Sequence, residues 1–213
     1  MEQYSVVLVC NGKEYKTFID GDIRSDDELT FVVNGVKIHV EFDGNLYIED
    51  VSTYSGEQLK SLAFLTQKNG EVVLSDYHFK CRVPVAVVNK QTHETTATYV
   101  EIEMKHDGTP GNAVRYVYSL LDARSQMTDI DYAISDLRSQ LRDLYTIRIC
   151  GCCKYGQANP YGGDGYLNYL CFRKNKIGYL QFSTGVDKKD WEFFSDKRNV
   201  EATRPTYCCE EFE

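Results

Sequence analysis

YSVVLVCNGKEYKTFI, residues 4–19, decides the fold class of this chain. Its two halves, Tyr4–Cys10 and Tyr15–Ile19, alternate apolar with polar residues and are rich in β-branched and aromatic side chains. That pattern is typical of half-buried strands. Asn11 and Gly12 between them tolerate the positive φ angles of a tight two-residue turn. The stretch therefore predicts an antiparallel β-hairpin.

The same alternation continues through the first half of the chain. It predicts further strands at Leu29–Val33, Val36–Phe42, Leu46–Val51, Val72–Leu74, Phe79–Val88, Thr95–Met104 and Val114–Leu121. Asn34-Gly35 and Asp43-Gly44 supply two more tight turns. One short helix is expected after Ser55, ending at Asn69-Gly70. We therefore expect antiparallel sheets, arranged as a meander or a sandwich.

The clearest helical pattern covers residues 129–144. Its apolar side chains recur at steps of three and four and form one stripe: Ile130, Ala133, Ile134, Leu137, Leu141 and Leu144. Such a stripe is far more often core than a partner interface, so we expect the helix to pack against the sheet. The fold class predicted is thus α+β, with an antiparallel β-rich domain over residues 1–145 and a small cysteine-rich module over 146–213.

The cysteine-rich module holds six of the eight cysteines. In CGCCKYG, residues 150–156, Cys150 and Cys153 have the C-x-x-C spacing that places two thiolates on one side of a tight turn. Gly151 permits the backbone conformation of such a turn, and Cys152 is expected to point away. The motif predicts half of a zinc site.

The other two zinc ligands have to come from distant cysteines. Cys171 is one candidate, and either Cys208 or Cys209 is the other, because adjacent residues of an extended chain face opposite ways. A closed site of four thiolates is structural rather than catalytic. Two other interpretations stay open: buried reduced thiols that pack as small hydrophobic side chains, and a redox pair.

The C-terminal part also resembles a known pattern. CGCCKYG, the NPYGGD of 159–164, the LCFR of 170–173 and the terminal YCCEEF are similar to a family of uncharacterised bacterial proteins, a domain of unknown function. The resemblance implies a bacterial source and the ligand set Cys150, Cys153, Cys171 and Cys209. It implies no activity, and the additional Cys152 and Cys208 depart from the family pattern.

Charge is unevenly distributed. The formal charge is −8, with −9 on residues 1–145 and +1 on the rest. An acidic domain suits a basic protein partner and disfavours nucleic acid. There is neither a signal-peptide pattern nor an apolar stretch of membrane-spanning length in the sequence, so we expect a cytoplasmic protein without a membrane partner.

Catalytic motifs are missing from the sequence: it contains no P-loop, no nucleophile elbow and no HExxH. We therefore favour a zinc-stabilised protein-interaction protein, of a kind that includes immunity proteins, over an enzyme. One alternative is a thiol-dependent enzyme or redox protein that uses Cys152 or Cys208. A second alternative is a zinc module that binds nucleic acid.

Overall fold

The structure is a computed structural model. It describes residues 4–20, 29–40, 45–66, 72–109, 113–128, 130–158, 169–182, 196 and 198–203. The strands are β1 (Tyr4–Cys10), β2 (Lys13–Ile19), β3 (Thr30–Val33), β4 (Val36–Val40), β5 (Leu46–Ile48), β6 (Phe64–Thr66), β7 (Val72–Leu74), β8 (Tyr77–Asn89), β9 (Thr95–His106), β10 (Arg115–Leu120), β11 (Ala123–Ser125), β12 (Tyr145–Ile147), β13 (Gly156–Ala158), β14 (Tyr169–Cys171) and β15 (Glu201–Thr203). The helices are α1 (Gly56–Leu59), α2 (Ile130–Leu141) and α3 (Lys176–Phe182).

The expected hairpin opens the larger of three antiparallel sheets. This sheet has the order β11-β10-β9-β8-β1-β2, and β12 also pairs with β8. β1 and β2 are joined by Asn11 and Gly12, both with positive φ, as the Asn-Gly dipeptide predicts. β1 then pairs on its other side with β8, which follows almost seventy residues later, as the Val6 to Cys81 register shows. The sheet therefore combines local and distant pairing.

A five-stranded sheet of order β3-β4-β5-β7-β6 packs against the larger one. Phe31 of β3 and Phe79 of β8, both fully buried, lie with ring centroids 5.6 Å apart and join the two sheets. One hydrophobic cluster contains buried residues of both. The β-rich α+β class predicted from the sequence is thereby confirmed, and the two sheets form a sandwich.

Helix α2 covers another part of the same core. Its buried side chains are Ala133, Ile134, Leu137 and Leu141, the stripe expected from the sequence. Gln140 fixes the helix to the edge strand β11: its amide donates to the Arg124 carbonyl at 2.9 Å and its Oε1 accepts from the Arg124 N–H at 3.2 Å. The side chain of Gln140 thus satisfies the backbone of an otherwise open strand edge.

Proline in the middle of β8 has a local explanation. On one side of β8, β1 pairs as far as Cys81 and β12 pairs from Val87, so residues 82–85 lie between these two partners. Pro84 falls in this gap, while its other side pairs with Tyr99 of β9. The missing N–H therefore costs no ladder hydrogen bond in a strand that is otherwise central.

The third sheet, β13-β14-β15, belongs to the C-terminal part. Residues 177–182 have strand-like composition, but the structure corrects this expectation, because they form helix α3. The side chain of Asn175 accepts a hydrogen bond from the Gly178 N–H at 2.9 Å at the start of the helix. Tyr179 then stacks on Phe172 with a centroid distance of 4.4 Å. These contacts favour a helix over the strand that the composition suggested.

β12 lies in the first sheet, although its residues follow the predicted domain boundary between 145 and 146. Ile147 and Ile149 are buried in the same core as the sandwich. The described strands of the third sheet begin only at Gly156. Two separate domains stay a prediction, and the first sheet itself extends past residue 145. In the ranges that the structure covers, no helix has the length and apolar content to cross a membrane.

Candidate metal centre

The predicted C-x-x-C segment forms a tight turn directly after β12. A single 3-10 turn spans Cys150–Cys152. The Cys153 N–H donates to the Cys150 carbonyl at 3.1 Å, and the Gly156 N–H donates to the Cys153 carbonyl at 3.1 Å. Consecutive turns of this kind bring the backbone amides close to the cysteine side chains, which is what a metal-binding turn requires.

Strand β14 brings Cys171 to this turn. Cys171 lies opposite Gly156 in the antiparallel register, and the Phe172 N–H donates to the Tyr155 carbonyl at 2.9 Å. β14 also contacts the 3-10 turn itself. A cysteine twenty-one positions beyond Cys150 in the sequence is therefore placed beside it.

Cys150 and Cys171 interact directly through their side chains. A hydrogen bond from Cys150 lowers the pKa of the Cys171 thiol below its ordinary value. Burial opposes this effect, and the backbone N–H and the guanidinium of Arg173 reinforce it. The geometry therefore favours a thiolate at Cys171, the form that binds metal. Both cysteines are buried, at 2% and 4% exposure.

Arg173 and Glu201 form an ion pair next to the cysteines. The guanidinium of Arg173 donates to both carboxylate oxygens of Glu201, at 2.9 and 3.1 Å, and Lys174 lies 3.5 Å from the same carboxylate. Burial raises the pKa of Glu201, but these cations outweigh it and hold the pKa below its usual range. Glu201 faces Cys171 across β14 and β15. The sequence marked Arg173 as a neighbour of the cysteines, whereas nothing local pointed to Glu201.

Cys152 lies away from this pair, as the sequence analysis expected of it. It is 8% exposed and belongs to the core of the sandwich. Burial raises its pKa to about 11, although the positive charge of Arg138 works against that rise. A thiol in this position is protonated at neutral pH, so it lacks the low pKa of a nucleophilic cysteine.

Cys153 sits on the same turn but contacts a different set of side chains. It packs against a small second cluster formed by buried Tyr155, Leu170, Phe172, Tyr179 and Val200. Its charge raises the pKa of Tyr179, although burial of the phenol contributes more. Cys153 thus lies at the boundary between the turn and this cluster.

The structure therefore assembles part of the predicted ligand set. It brings Cys150 and Cys171 together and places Cys153 on the same turn. Among the described residues, no three Cys, His, Asp or Glu side chains come close enough together to hold a metal ion. Cys208 and Cys209, one of which is the fourth predicted ligand, lie outside the described residues. The two thiols that do meet have the donor chemistry that zinc prefers.

Comparisons of the chain with protein families, with curated proteins and with solved structures gave no match. Function is therefore argued from the residues of this chain alone.

Proposed function

We propose that this is a cytoplasmic protein-interaction protein whose C-terminal part is held by a structural zinc ion. The ligands in this proposal are Cys150, Cys153, Cys171 and Cys209. The observation that carries it is the buried contact between Cys150 and Cys171, with the lowered pKa of Cys171. Zinc binds thiolates, and four of them make a closed site without an open coordination position.

A zinc ion in this position would join two parts of the fold. Cys150 follows β12, which is anchored on β8 by the pair Thr146 and Val88. Cys171 ends β14, in the three-stranded sheet. The second hydrophobic cluster has only five buried residues, too few to stabilise a module of this size by burial alone. A metal ion supplies the missing stability in such modules.

The interaction role rests on charge and on the residues left exposed. The formal charge of −9 on residues 1–145 attracts a basic partner over a range set by the ionic strength. Several large apolar side chains of the sandwich are half exposed or more, among them Phe18, Tyr99 and Tyr132 at 52%, 56% and 70%. Aromatic side chains with this exposure are common anchors of protein interfaces. Immunity proteins that bind basic toxin domains are one class that fits.

The zinc proposal is tested on the full chain, purified without a tag under reducing conditions. We expect about one zinc per chain by elemental mass spectrometry. Cys150→Ser and Cys171→Ser should lose the metal, and Cys153→Ser and Cys209→Ser should do the same if the proposed ligand set is right. Cys81→Ala is the matched control, because Cys81 is fully buried in the sandwich and distant in sequence from the site. It should lose stability but keep its zinc.

One observation favours a second candidate. Two adjacent thiols, one with a lowered pKa, are also the arrangement of a dithiol redox pair. A wild-type chain without zinc that forms a reversible Cys150–Cys171 disulfide would contradict the metal proposal and support the redox one. Full zinc occupancy together with resistance of both thiols to mild oxidants would do the reverse.

The interaction role needs its own test. The protein is isolated from its own cells at low salt, and its partners are identified and quantified. We expect one stoichiometric partner with a basic interaction domain, and a complex that weakens steeply as salt rises. A protein that is isolated alone and turns over a small molecule would contradict this role and leave the zinc proposal intact.

A further inference from the structure

A cleft lies at one end of the seven-stranded sheet, remote in sequence from the cysteines. Its volume is about 770 Å³, within the range of about 300–1,000 Å³ that is usual for small-molecule sites. The β1–β2 hairpin, the start of β8, the end of β9 and the start of β10 all contribute to its walls. The lining residues are Val9, Gly12, Asp76, Tyr77, His78, Lys105, His106, Asp107, Ala113, Val114 and Arg115.

Three of these residues form a basic row across neighbouring strands. His78 of β8 is paired with Lys105 of β9, and Lys105 is paired with Arg115 of β10. Residues directly opposite each other in antiparallel strands share a face of the sheet, and like charges in such pairs destabilise it. The Lys105–Arg115 pair is therefore unfavourable for folding by itself.

The next two rows of the same strand pair are built in the opposite way. Lys80 faces Glu103, with a hydrogen bond of 3.0 Å, and Arg82 faces Glu101, also at 3.0 Å. Charges are thus complementary in these rows and like only in the row that lines the cleft. A like-charged pair that lies at a cleft, beside two complementary rows, points to an anion as the missing partner.

Nearby carboxylates meet the two cations only loosely. Lys105 Nζ is 3.7 Å from Glu103 Oε2, and the guanidinium of Arg115 is 3.8 Å from Asp107 Oδ2. Both distances exceed the 2.7–2.9 Å or so of a charge-assisted hydrogen bond. The two side chains are 53% and 80% exposed. Exposed ion pairs of this length stabilise a fold very little, so both cations can exchange these partners for a ligand.

The rest of the cleft adds a donor and an apolar wall. His106 is buried, and its Nδ1 accepts a hydrogen bond from the Gly108 N–H at 3.0 Å, which leaves the ring proton on Nε2. The His106 ring is stacked near Tyr77, with centroids 6.1 Å apart. Val9, Ala113 and Val114 supply apolar side chains. A few polar groups on an apolar wall are the usual composition of a small-molecule site.

We infer that this cleft binds a small organic anion, with Lys105 and Arg115 on its carboxylate or phosphate group and an apolar body against Val9 and Val114. Arg pairs with planar or tetrahedral oxyanions through two donors, and Lys adds a point charge. The inference does not depend on zinc, since it uses residues of the sandwich alone.

The test uses the full-length protein and three matched probes: phenyl phosphate, benzoate and uncharged benzyl alcohol. Binding is followed at low salt by changes in backbone amide NMR shifts. The test variant is the double substitution Lys105→Gln with Arg115→Gln, and Arg82→Gln is the control. Arg82 is 60% exposed on the same face but does not line the cleft. All three substituted side chains are largely exposed, so the variants should fold.

We expect one or both anions to bind saturably below about 10 mM, with shifts grouped at 76–78, 105–108 and 113–115. The double variant should weaken binding at least about tenfold, because it removes two charged donors, and Arg82→Gln should leave it within about twofold. The preferred anion then separates a phosphate from a carboxylate ligand. Failure of both anions to bind, equal binding of benzyl alcohol, or equal loss in the Arg82→Gln control would each overturn the inference.

Discussion

The thiol of Cys150 donates a hydrogen bond to Cys171, which reaches it from the end of another strand. This contact joins a turn anchored on the large sheet to a small sheet with few buried side chains of its own. It also decides which cysteines can react, because Cys152, two residues from Cys150, faces the sandwich core instead.

Cys152 should be inert in the native protein. Burial raises its pKa to about 11 and that of Cys81 to about 12, so both thiols stay protonated at neutral pH. We expect iodoacetamide to leave both unmodified in native buffer and to label both in denaturant, as mass spectrometry of the digested protein will show. Rapid native labelling of Cys152 would bring back the thiol-enzyme interpretation.

Glu103 should contribute more stability than its neighbour Glu101. It accepts hydrogen bonds from His78 at 2.9 Å and Lys80 at 3.0 Å, and its side chain is 14% exposed, against 28% for Glu101. Glu103→Gln should lower the free energy of unfolding by about 1–3 kcal/mol. Glu101→Gln, the control with an exposed arginine partner, should cost at most about 1 kcal/mol. Urea unfolding measures both, and equal costs would contradict the expected difference.

The contribution of Glu103 should also depend on pH. Burial raises the pKa of its carboxyl group, but hydrogen bonds from Lys80 and His78 outweigh this, so the folded pKa lies below the usual value. A lowered pKa stabilises the fold above the unfolded value of about 4.3 and is lost as the pH falls through the folded value. The stability difference between wild type and Glu103→Gln should therefore shrink in acid. A difference that is constant from neutral pH to about pH 3 would contradict this assignment.

Phe172→Ala should loosen the C-terminal part before the sandwich. Phe172 is fully buried and stacks on Tyr179 at 4.4 Å in the five-residue cluster. Removing a buried ring costs about 3–5 kcal/mol, which is large for so small a cluster. Hydrogen exchange should accelerate in residues 169–182 and stay slow in β8, and Tyr99→Ala at an exposed site should change neither. Equal acceleration in β8 would mean that both parts unfold together.

Gly35→Ala should destabilise the turn between β3 and β4. Gly35 has φ +76°, and an added Cβ would lie 2.9 Å from Nε2 of Gln58. The amide of Gln58 can move, so the left-handed backbone sets most of the cost, about 1–2 kcal/mol. Gly56→Ala is the control, since its Cβ would meet nothing within 4 Å. It should be neutral or slightly stabilising in thermal unfolding, and a cost equal to that of Gly35→Ala would contradict the backbone argument.

The features that the sequence predicted well are those fixed within a few residues. Asn11-Gly12 and Asn34-Gly35 adopt the positive φ angles expected of them, because those angles depend on local sterics. β1 spans the predicted residues Tyr4–Cys10, and α2 buries the predicted stripe. A period of two or of 3.6 residues shows which side chains share a face, and burying that face requires no knowledge of the partner.

Tertiary structure decided everything that joins distant residues. Residues 177–182 form a helix, because Asn175 hydrogen-bonds its first turn and Phe172 stacks on Tyr179; their composition alone favoured a strand. The insertion of β1 beside β8, the basic row of Lys105 and Arg115, and the contact of Cys150 with Cys171 likewise depend on strand register. Register between distant strands is set by the whole core and by the chain entropy that it must overcome, and neither can be read from a local pattern.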